Sequence, residues 1–311
     1  WFDTAEVYGG GRSEAALARA LTAAGRKNGD VVVATKWWPL WRTAGNIKAT
    51  IGARLAKLAP FSIDLYQIHQ PFALASTAAQ MHAMAGLVED RQIRTVGVSN
   101  FSAAKMRAAH QALATRGIHL VSNQVRYSLL GRQIEKNGVL KTAQELGITV
   151  IAYSPLAQGI LSGKYHRDPE MIRSRPGPRK WMAVFRRRGL ERSRPLVGAL
   201  EEIARAHGAT PSQVALNWLA NFHGDTVVVI PGATSVAQAK ENAGAMSFRP
   251  SDAEMKRLDE LSQSFCLIVE WCARASVLSQ RSEEPQAARA GATDAGYRVG
   301  SIWRALLKRL K

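Results

Sequence analysis

Ile63-Asp64-Leu65-Tyr66-Gln67-Ile68-His69, a helix-forming stretch from Thr77 to Asp90, and Thr95-Val96-Gly97-Val98-Ser99-Asn100 read together as one strand–helix–strand unit. The outer runs are short and apolar, with the β-branched and aromatic content of strands buried on both faces. A helix between two such strands makes them parallel neighbours, because a parallel connection needs a crossover. The pattern repeats in both directions. Val31-Val32-Val33-Ala34-Thr35-Lys36 precedes the unit, and Leu120-Val121-Ser122-Asn123-Gln124, Thr149-Val150-Ile151-Ala152-Tyr153 and Thr226-Val227-Val228-Val229-Ile230 follow it. Trp1-Phe2-Asp3 reads as the end of one more strand. Helical stretches fill the gaps: Ser13 to Ala24, Asn46 to Leu58, Ser102 to Thr115, Val139 to Leu146, Arg194 to His207, Pro211 to Asn221 and Val236 to Ala243. Ser13 is placed to cap the first, and Pro211 to open its helix at the first position.

Seven strands are one short of a closed eight-stranded barrel. The expected fold is therefore α/β, a (β/α)8 TIM barrel lacking its first strand–helix unit, with that unit expected upstream of Trp1. Residues 1–265 make up the barrel and 266–311 a basic, partly disordered tail. Residues 280–296 are rich in Ala, Gln, Glu, Ser and Arg, and Ile302 to Leu310 reads as a short basic amphipathic helix. Between Tyr153 and Arg194 lie about forty residues rich in Gly, Pro and Arg, the length of a functional lid or a disordered loop.

The formal charge of +18 is unevenly spread. Residues 167–194 carry ten Lys/Arg against three acids, and 281–311 carry seven against three. There is no aromatic-interleaved basic stripe, zinc finger or recognition-helix pattern, so a solvated loop and tail are expected rather than a nucleic-acid partner. No apolar run reaches the roughly 18 residues that cross a bilayer. Cys266 and Cys272 are too few for a disulfide framework and lack metal-ligand spacing. The expectation is a non-secreted protein of the cytoplasm or chloroplast, with no metal.

Barrels carry their active sites beyond the C-terminal ends of the strands. Asp3 and Tyr8 follow the first strand, Lys36 ends the second and His69 ends the third, so these four side chains converge from adjacent strands. Their chemistry suits carbonyl reduction. Hydride addition leaves an alkoxide that needs a proton. Tyr8 is the candidate donor, Lys36 would lower its pKa, Asp3 would hold Lys36 charged, and His69 would orient the substrate oxygen. Trp37, Trp38, Trp41 and Phe72 follow the strands bearing Lys36 and His69; they either line an apolar pocket mouth or cap the barrel rim as ordinary packing, and Trp37, Trp38 and Phe72 are the pocket candidates.

Phe2-Asp3-Thr4-Ala5-Glu6-Val7-Tyr8-Gly9 with Ser13-Glu14 resembles the signature segment of the aldo-keto reductase family. Ala34-Thr35-Lys36, Asp64-Leu65-Tyr66-Gln67-Ile68-His69, Gly97-Val98-Ser99-Asn100-Phe101, Ser122-Asn123-Gln124, Ala152-Tyr153-Ser154-Pro155-Leu156 and Ile230-Pro231-Gly232-Ala233 resemble further blocks in the family's order. The resemblance runs from Trp1 to about Leu261, with the plant and cyanobacterial branch, including plastid members, most similar. It implies the Asp3, Tyr8, Lys36, His69 tetrad and an extended NADPH across the barrel mouth. Ser99, Asn100 and Gln124 would bind the carboxamide and Tyr153 would stack on the nicotinamide. The segment Ser154, Pro155, Leu156, Gln158, Gly159, Leu161, Gly163 and Lys164 would wrap the pyrophosphate. Pro231, Gly232, Ala233, Ser235, Gln238, Glu241 and Asn242 would meet the adenine end. Many relatives carry a basic residue where Ser235 or Gln238 stands. Lys240, Arg173, Arg175 or Arg179 could substitute for it. The partner is a small carbonyl compound, and the oligomeric state stays open. Two other readings remain: a cofactor-binding regulatory subunit like the family's channel-associated β subunits, or an inactive fragment.

Overall fold

A computed structural model describes residues 1–174 and 182–265. The expectations for Arg175, Arg179, Cys266, Cys272 and the tail lie outside the described residues. Seven strands follow in chain order: β1 (Phe2–Asp3), β2 (Val33–Trp37), β3 (Ile63–Ile68), β4 (Ile93–Ser99), β5 (Leu120–Arg126), β6 (Thr149–Tyr153) and β7 (Val227–Ile230). They pair in parallel in the order β1-β2-β3-β4-β5-β6-β7, a nearly closed barrel. The helices are α1 (Arg12–Ala23), α2 (Gly45–Leu58), α3 (Thr77–Glu89), α4 (Ala103–Ala114), α5 (Gln133–Lys136), α6 (Val139–Leu146), α7 (Lys164–Arg167), α8 (Glu170–Ser174), α9 (Arg187–Ala206), α10 (Pro211–Asn221) and α11 (Val236–Ala243). A further helical run covers 252–265. No helix among the described residues is long and apolar enough to cross a membrane.

Strand alternation divides the side chains between two environments. Val33, Trp37, Tyr66, Ile68, Val96 and Val98 pack outward against the helices, meeting Ile47, Ile51 and Leu58 of α2 and Met81 and Met84 of α3 in the large core. Ala34, Leu65 and Ile151, with Val121, Val228 and Ile230, fill the lumen. One rung higher the lumen turns polar: Lys36 stands beside Gln67 in register, and Gln124 beside Ser99. All four are buried. The barrel therefore has an apolar floor and a polar ceiling.

Start signals hold where side chains can reach. Thr210 and Gln213 form a capping box ahead of Pro211 at the start of α10. Ser76, Ser102 and Ser235 each accept from a backbone N–H three residues on. Ser13 does not cap α1. Gly11 does, at φ 83°, a left-handed conformation open to glycine, while Ser13 Oγ accepts from Thr4 Oγ1 at 2.8 Å. The described part of the stretch after Tyr153 carries regular structure. It holds a 3₁₀ turn at Ala157–Ser162, α7 and α8, and α9 begins at Arg187 rather than Arg194. Pro195 lies inside α9 on its exposed face, where the carbonyl it leaves unbonded reaches solvent.

Candidate active site

The polar ceiling is organised around Asp3. β1 is only two residues long and pairs with β2 in the register Asp3↔Ala34. Its carboxylate accepts from three strands at once: Oδ1 from Lys36 Nζ, and Oδ2 from Gln67 Nε2 at 3.2 Å and Gln124 Nε2 at 3.0 Å. Lys36 also donates to the Thr4 carbonyl oxygen at 2.8 Å and is fully buried. Above it, Lys36 Nζ stands 5.2 Å from the centre of the Tyr8 ring. His69 meets Tyr8 edge-on with ring centres 5.7 Å apart. The structure thus brings Asp3, Tyr8, Lys36 and His69 to one point at the C-terminal end of the sheet. Tyr8 is the most open of them, at 42% exposure.

The electrostatics differ in one respect from the expectation. The Tyr8 phenol is raised above its ordinary value, first by burial and then by the charges of Asp3 and Tyr153. Lys36, paired to Asp3 and 5.2 Å from the centre of the ring, does not bring the phenol below its ordinary value. Burial lowers the Lys36 ammonium, against the pull of Asp3. His69 falls to about 4, through burial and then the Lys36 charge, so its imidazole is neutral near pH 7. Its Nδ1 is buried and has no hydrogen-bond partner among the described residues.

Trp38 packs edge-on against His69, ring centres 5.2 Å apart, and against Phe72 at 6.0 Å. These two expected pocket residues stand at the mouth. Trp37 does not. It is fully buried in the outer core, with Nε1 donating to Asn46 Oδ1 at 3.0 Å. The reason is strand alternation: Lys36 points into the lumen, so Trp37 points at α2.

A second cluster adjoins the tetrad. Ser99 Oγ donates to the Gln124 carbonyl at 2.8 Å, Asn100 Nδ2 donates to Ser99 Oγ at 3.1 Å, and the Tyr153 hydroxyl donates to Asn100 Oδ1 at 3.1 Å. Gln124 links this cluster to Asp3. Asn100, at φ 61°, also donates to the His69 carbonyl at 3.5 Å. The following segment bends sharply: Ser154, Ala157, Gln158, Gly159 and Gly163 all have positive φ. Five of the segment's expected contact residues, Ser154, Leu156, Gln158, Gly159 and Lys164, are part-exposed, whereas Pro155 and Gly163 are buried and Leu161 is fully buried.

Register places Tyr153 beside Ile230, so Pro231, Gly232 and Ala233 leave the barrel next to that segment. There Ser235 caps α11. Gln238 Oε1 accepts from the Thr234 N–H at 2.7 Å, and Asn242 Nδ2 donates to the Gly232 carbonyl at 3.4 Å. Glu241 is turned away, accepting from Thr210 Oγ1 at 2.7 Å. Arg173 pairs with Glu170.

Two features escaped the sequence reading. Gln67 is the polar interruption in the buried strand Ile63-Asp64-Leu65-Tyr66-Gln67-Ile68, and it holds Asp3. Glu6, Glu14 and Arg54 form a buried ion network behind the Tyr8 loop. Its signal is helical spacing: Arg54 shares the buried face of α2 with Ile47, Ile51 and Leu58, and Glu14 shares that of α1 with Ala18 and Leu21.

Residues 1–263 match the profile of the Aldo/keto reductase family. An uncharacterized oxidoreductase of Mycobacterium tuberculosis is 40% identical over 265 residues, covering 85% of this chain and 78% of that protein. The chloroplastic pyridoxal reductase of Arabidopsis thaliana is 35% identical over 271 residues, covering 83% and 71%. A crystal structure of an aldo/keto reductase from Klebsiella pneumoniae, in complex with NADP and acetate, superposes with a TM-score of 0.64 at 28% identity, covering 84% and 79%.

Proposed function

The chain belongs to the Aldo/keto reductase family, a family of oxidoreductases, and from that premise we propose that it uses NADPH to reduce an aldehyde or ketone to the alcohol, with Tyr8 as the acid. The observation that carries the proposal is the stack of Tyr8 over the buried Lys36–Asp3 pair, flanked by His69.

The residues present fit an extended nicotinamide cofactor. Tyr153 offers a part-buried ring anchored through its hydroxyl to Asn100, an aromatic platform at the lumen's edge. The succession of left-handed residues from Ser154 to Gly163 holds the backbone in a strained, sharply turned path, as at ligand clamps. The N-terminus of α11 supplies free N–H groups, and Lys240 is the exposed cation on that helix. Ser99, Asn100 and Gln124 would hold the carboxamide, 154–164 the pyrophosphate and 231–242 the adenine end. Bound there, the reduced nicotinamide supplies the hydride.

The chain's own residues do the rest. Tyr8 must be protonated to act, and its raised pKa keeps the phenol intact until the substrate oxygen gains charge. As the proton leaves, the tyrosinate forms beside Lys36, whose cation then has an anion to stabilise. Asp3, fixed by Gln67 and Gln124, keeps that cation in place. His69 is neutral and can donate one hydrogen bond to the carbonyl oxygen without competing as an acid. Trp38 and Phe72 favour a substrate whose carbonyl carries an apolar substituent.

The test is loss of NADPH absorbance with a panel of aromatic, aliphatic and polar aldehydes. Carbonyl-dependent oxidation by the intact chain, absent in Tyr8→Phe, is the expected result. Equal rates in both proteins would remove Tyr8 from its role.

A further inference from the structure

The mechanism leaves a cluster of buried charge beside the Tyr8 loop unused. Glu6 lies two residues before Tyr8, with a side chain 5% exposed. Its Oε1 accepts from the Trp38 backbone N–H at 2.5 Å and from Arg42 at 2.6 Å, and its Oε2 accepts from Arg54 Nη1 at 2.6 Å. Arg54 reaches from α2 and turns its Nε to Glu14 Oε2 of α1 at 2.9 Å. Glu14 is fully buried, and its Oε1 accepts from Thr35 Oγ1 at 2.7 Å. Thr35 is the neighbour of Lys36 in β2. Behind the cluster lies the Tyr66 hydroxyl, buried and without a hydrogen-bond partner among the described residues.

Two carboxylates thus share one buried guanidinium. Arg42 helps Glu6 only from a one-third exposed position. Taking these ions out of water is costly, and apolar side chains of similar size would hold α1 and α2 to the sheet at least as well. What apolar packing would not supply is direction. Arg54 donates a hydrogen bond to Glu6 and stands at ion-pair distance from Glu14; Glu6 belongs to the Tyr8 loop and accepts from the Trp38 backbone N–H, and Glu14 accepts from the Thr35 hydroxyl of the Lys36 strand. The Tyr8 loop, the Trp38 segment and the Lys36 strand each carry a group of the proposed site.

We propose that Arg54 is a positioning residue for the reaction, clamping the Tyr8 loop, the Lys36 strand and the Trp38 segment in mutual register through Glu6 and Glu14. The kinetic part rests on the reductase reading; the structural part does not.

The test uses the full chain with Arg54→Met and Arg54→Lys, measuring kcat and KM for a carbonyl substrate, NADPH affinity by fluorescence, and amide hydrogen exchange. Arg54→Met is expected to lower kcat by about a hundredfold, the effect of a displacement near 1 Å, with NADPH affinity unchanged. The Trp38 amide should exchange roughly tenfold faster while β4 to β6 keep their protection. Arg54→Lys should recover part of both, since it restores the charge but not the fork. Wild-type kcat and Trp38 exchange in Arg54→Met overturn the proposal. So does a loss of kcat that comes with equal losses of NADPH affinity and of β4–β6 protection, because that is general loosening. If Arg54→Met fails to fold, Arg54→Lys and Glu14→Gln decide: a kcat loss with intact β4–β6 protection supports the clamp, and no loss refutes it. If the wild type reduces no carbonyl, the reductase reading falls, and Trp38 exchange alone decides the clamp.

Discussion

Strands β1 to β3 furnish their side of the barrel mouth with buried charge, whereas β4 to β7 furnish theirs with backbone shape. On the first side Lys36 pairs with Asp3, and Arg54 pairs with Glu6 and Glu14, two clusters that are nearly all buried. On the second side, neutral groups hold one another: Ser99, Asn100, Gln124 and Tyr153 form a chain of hydrogen bonds, and the turns beyond them depend on left-handed residues. The difference matches the proposed division of labour. A group that handles a developing charge gains from fixed charges in a dry setting. A surface that receives a long ligand gains from exposed backbone and from room at the rim.

The comparison can be broken at its strongest point first. Tyr8→Phe keeps the ring and its contact with His69 but removes the proton. It should lower kcat by roughly 10²–10⁴-fold with cofactor affinity intact, measured by steady-state kinetics and fluorescence titration. Lys36→Met strands the Asp3 carboxylate with only the two glutamine amides. Breaking such a pair costs about 3–5 kcal/mol, so denaturant unfolding should show a comparable loss along with lost activity. A stable Lys36→Met protein would show that buried charge is not what holds this side together.

On the other side the expected effects are smaller. Gly163 has φ 76°, and a Cβ there would meet Glu201 Oε1 at 2.7 Å and Arg167 Nη1 at 2.9 Å. Gly163→Ala should cost about 1–2 kcal/mol and weaken NADPH binding more than kcat. Equal affinity in wild type and variant would detach this turn from the cofactor. The least effect concerns His69. Its imidazole titrates near 4 when folded and near its ordinary value when unfolded. In the interval the unfolded chain binds a proton that the folded chain refuses. Stability contributed by the neutral imidazole is therefore complete above the ordinary range and declines as pH falls toward 4. His69→Gln should flatten that part of the stability–pH profile, as followed by urea midpoints.

The same contrast governs what can be read from the sequence. Strand runs, the alternation with helices and the four reactive residue types were visible because burial and chemistry restrict which amino acids can stand there. Trp37 was misplaced although the rule that corrects it is simple: next to an inward Lys36, an outward tryptophan belongs to the core. Arg54 and Glu14 sit on the apolar faces of their helices, a visible anomaly, but pairing them requires knowing that α1 and α2 are neighbours. The start of α9 was hidden by Pro195, which reads as a break until its exposed setting is known. Turn geometry on the cofactor side was the least legible, because Ser154, Ala157 and Gln158 hold left-handed conformations that their residue types do not announce.

Asp3 offers a last consequence. Two residues of ladder are a weak hold on β1, yet the Asp3 side chain is gripped from β2, β3 and β5 together. The three grips that hold Asp3 beside Lys36 also seat β1 against the sheet. Loss of that one carboxylate would therefore unseat β1 and undo the proposed chemistry together.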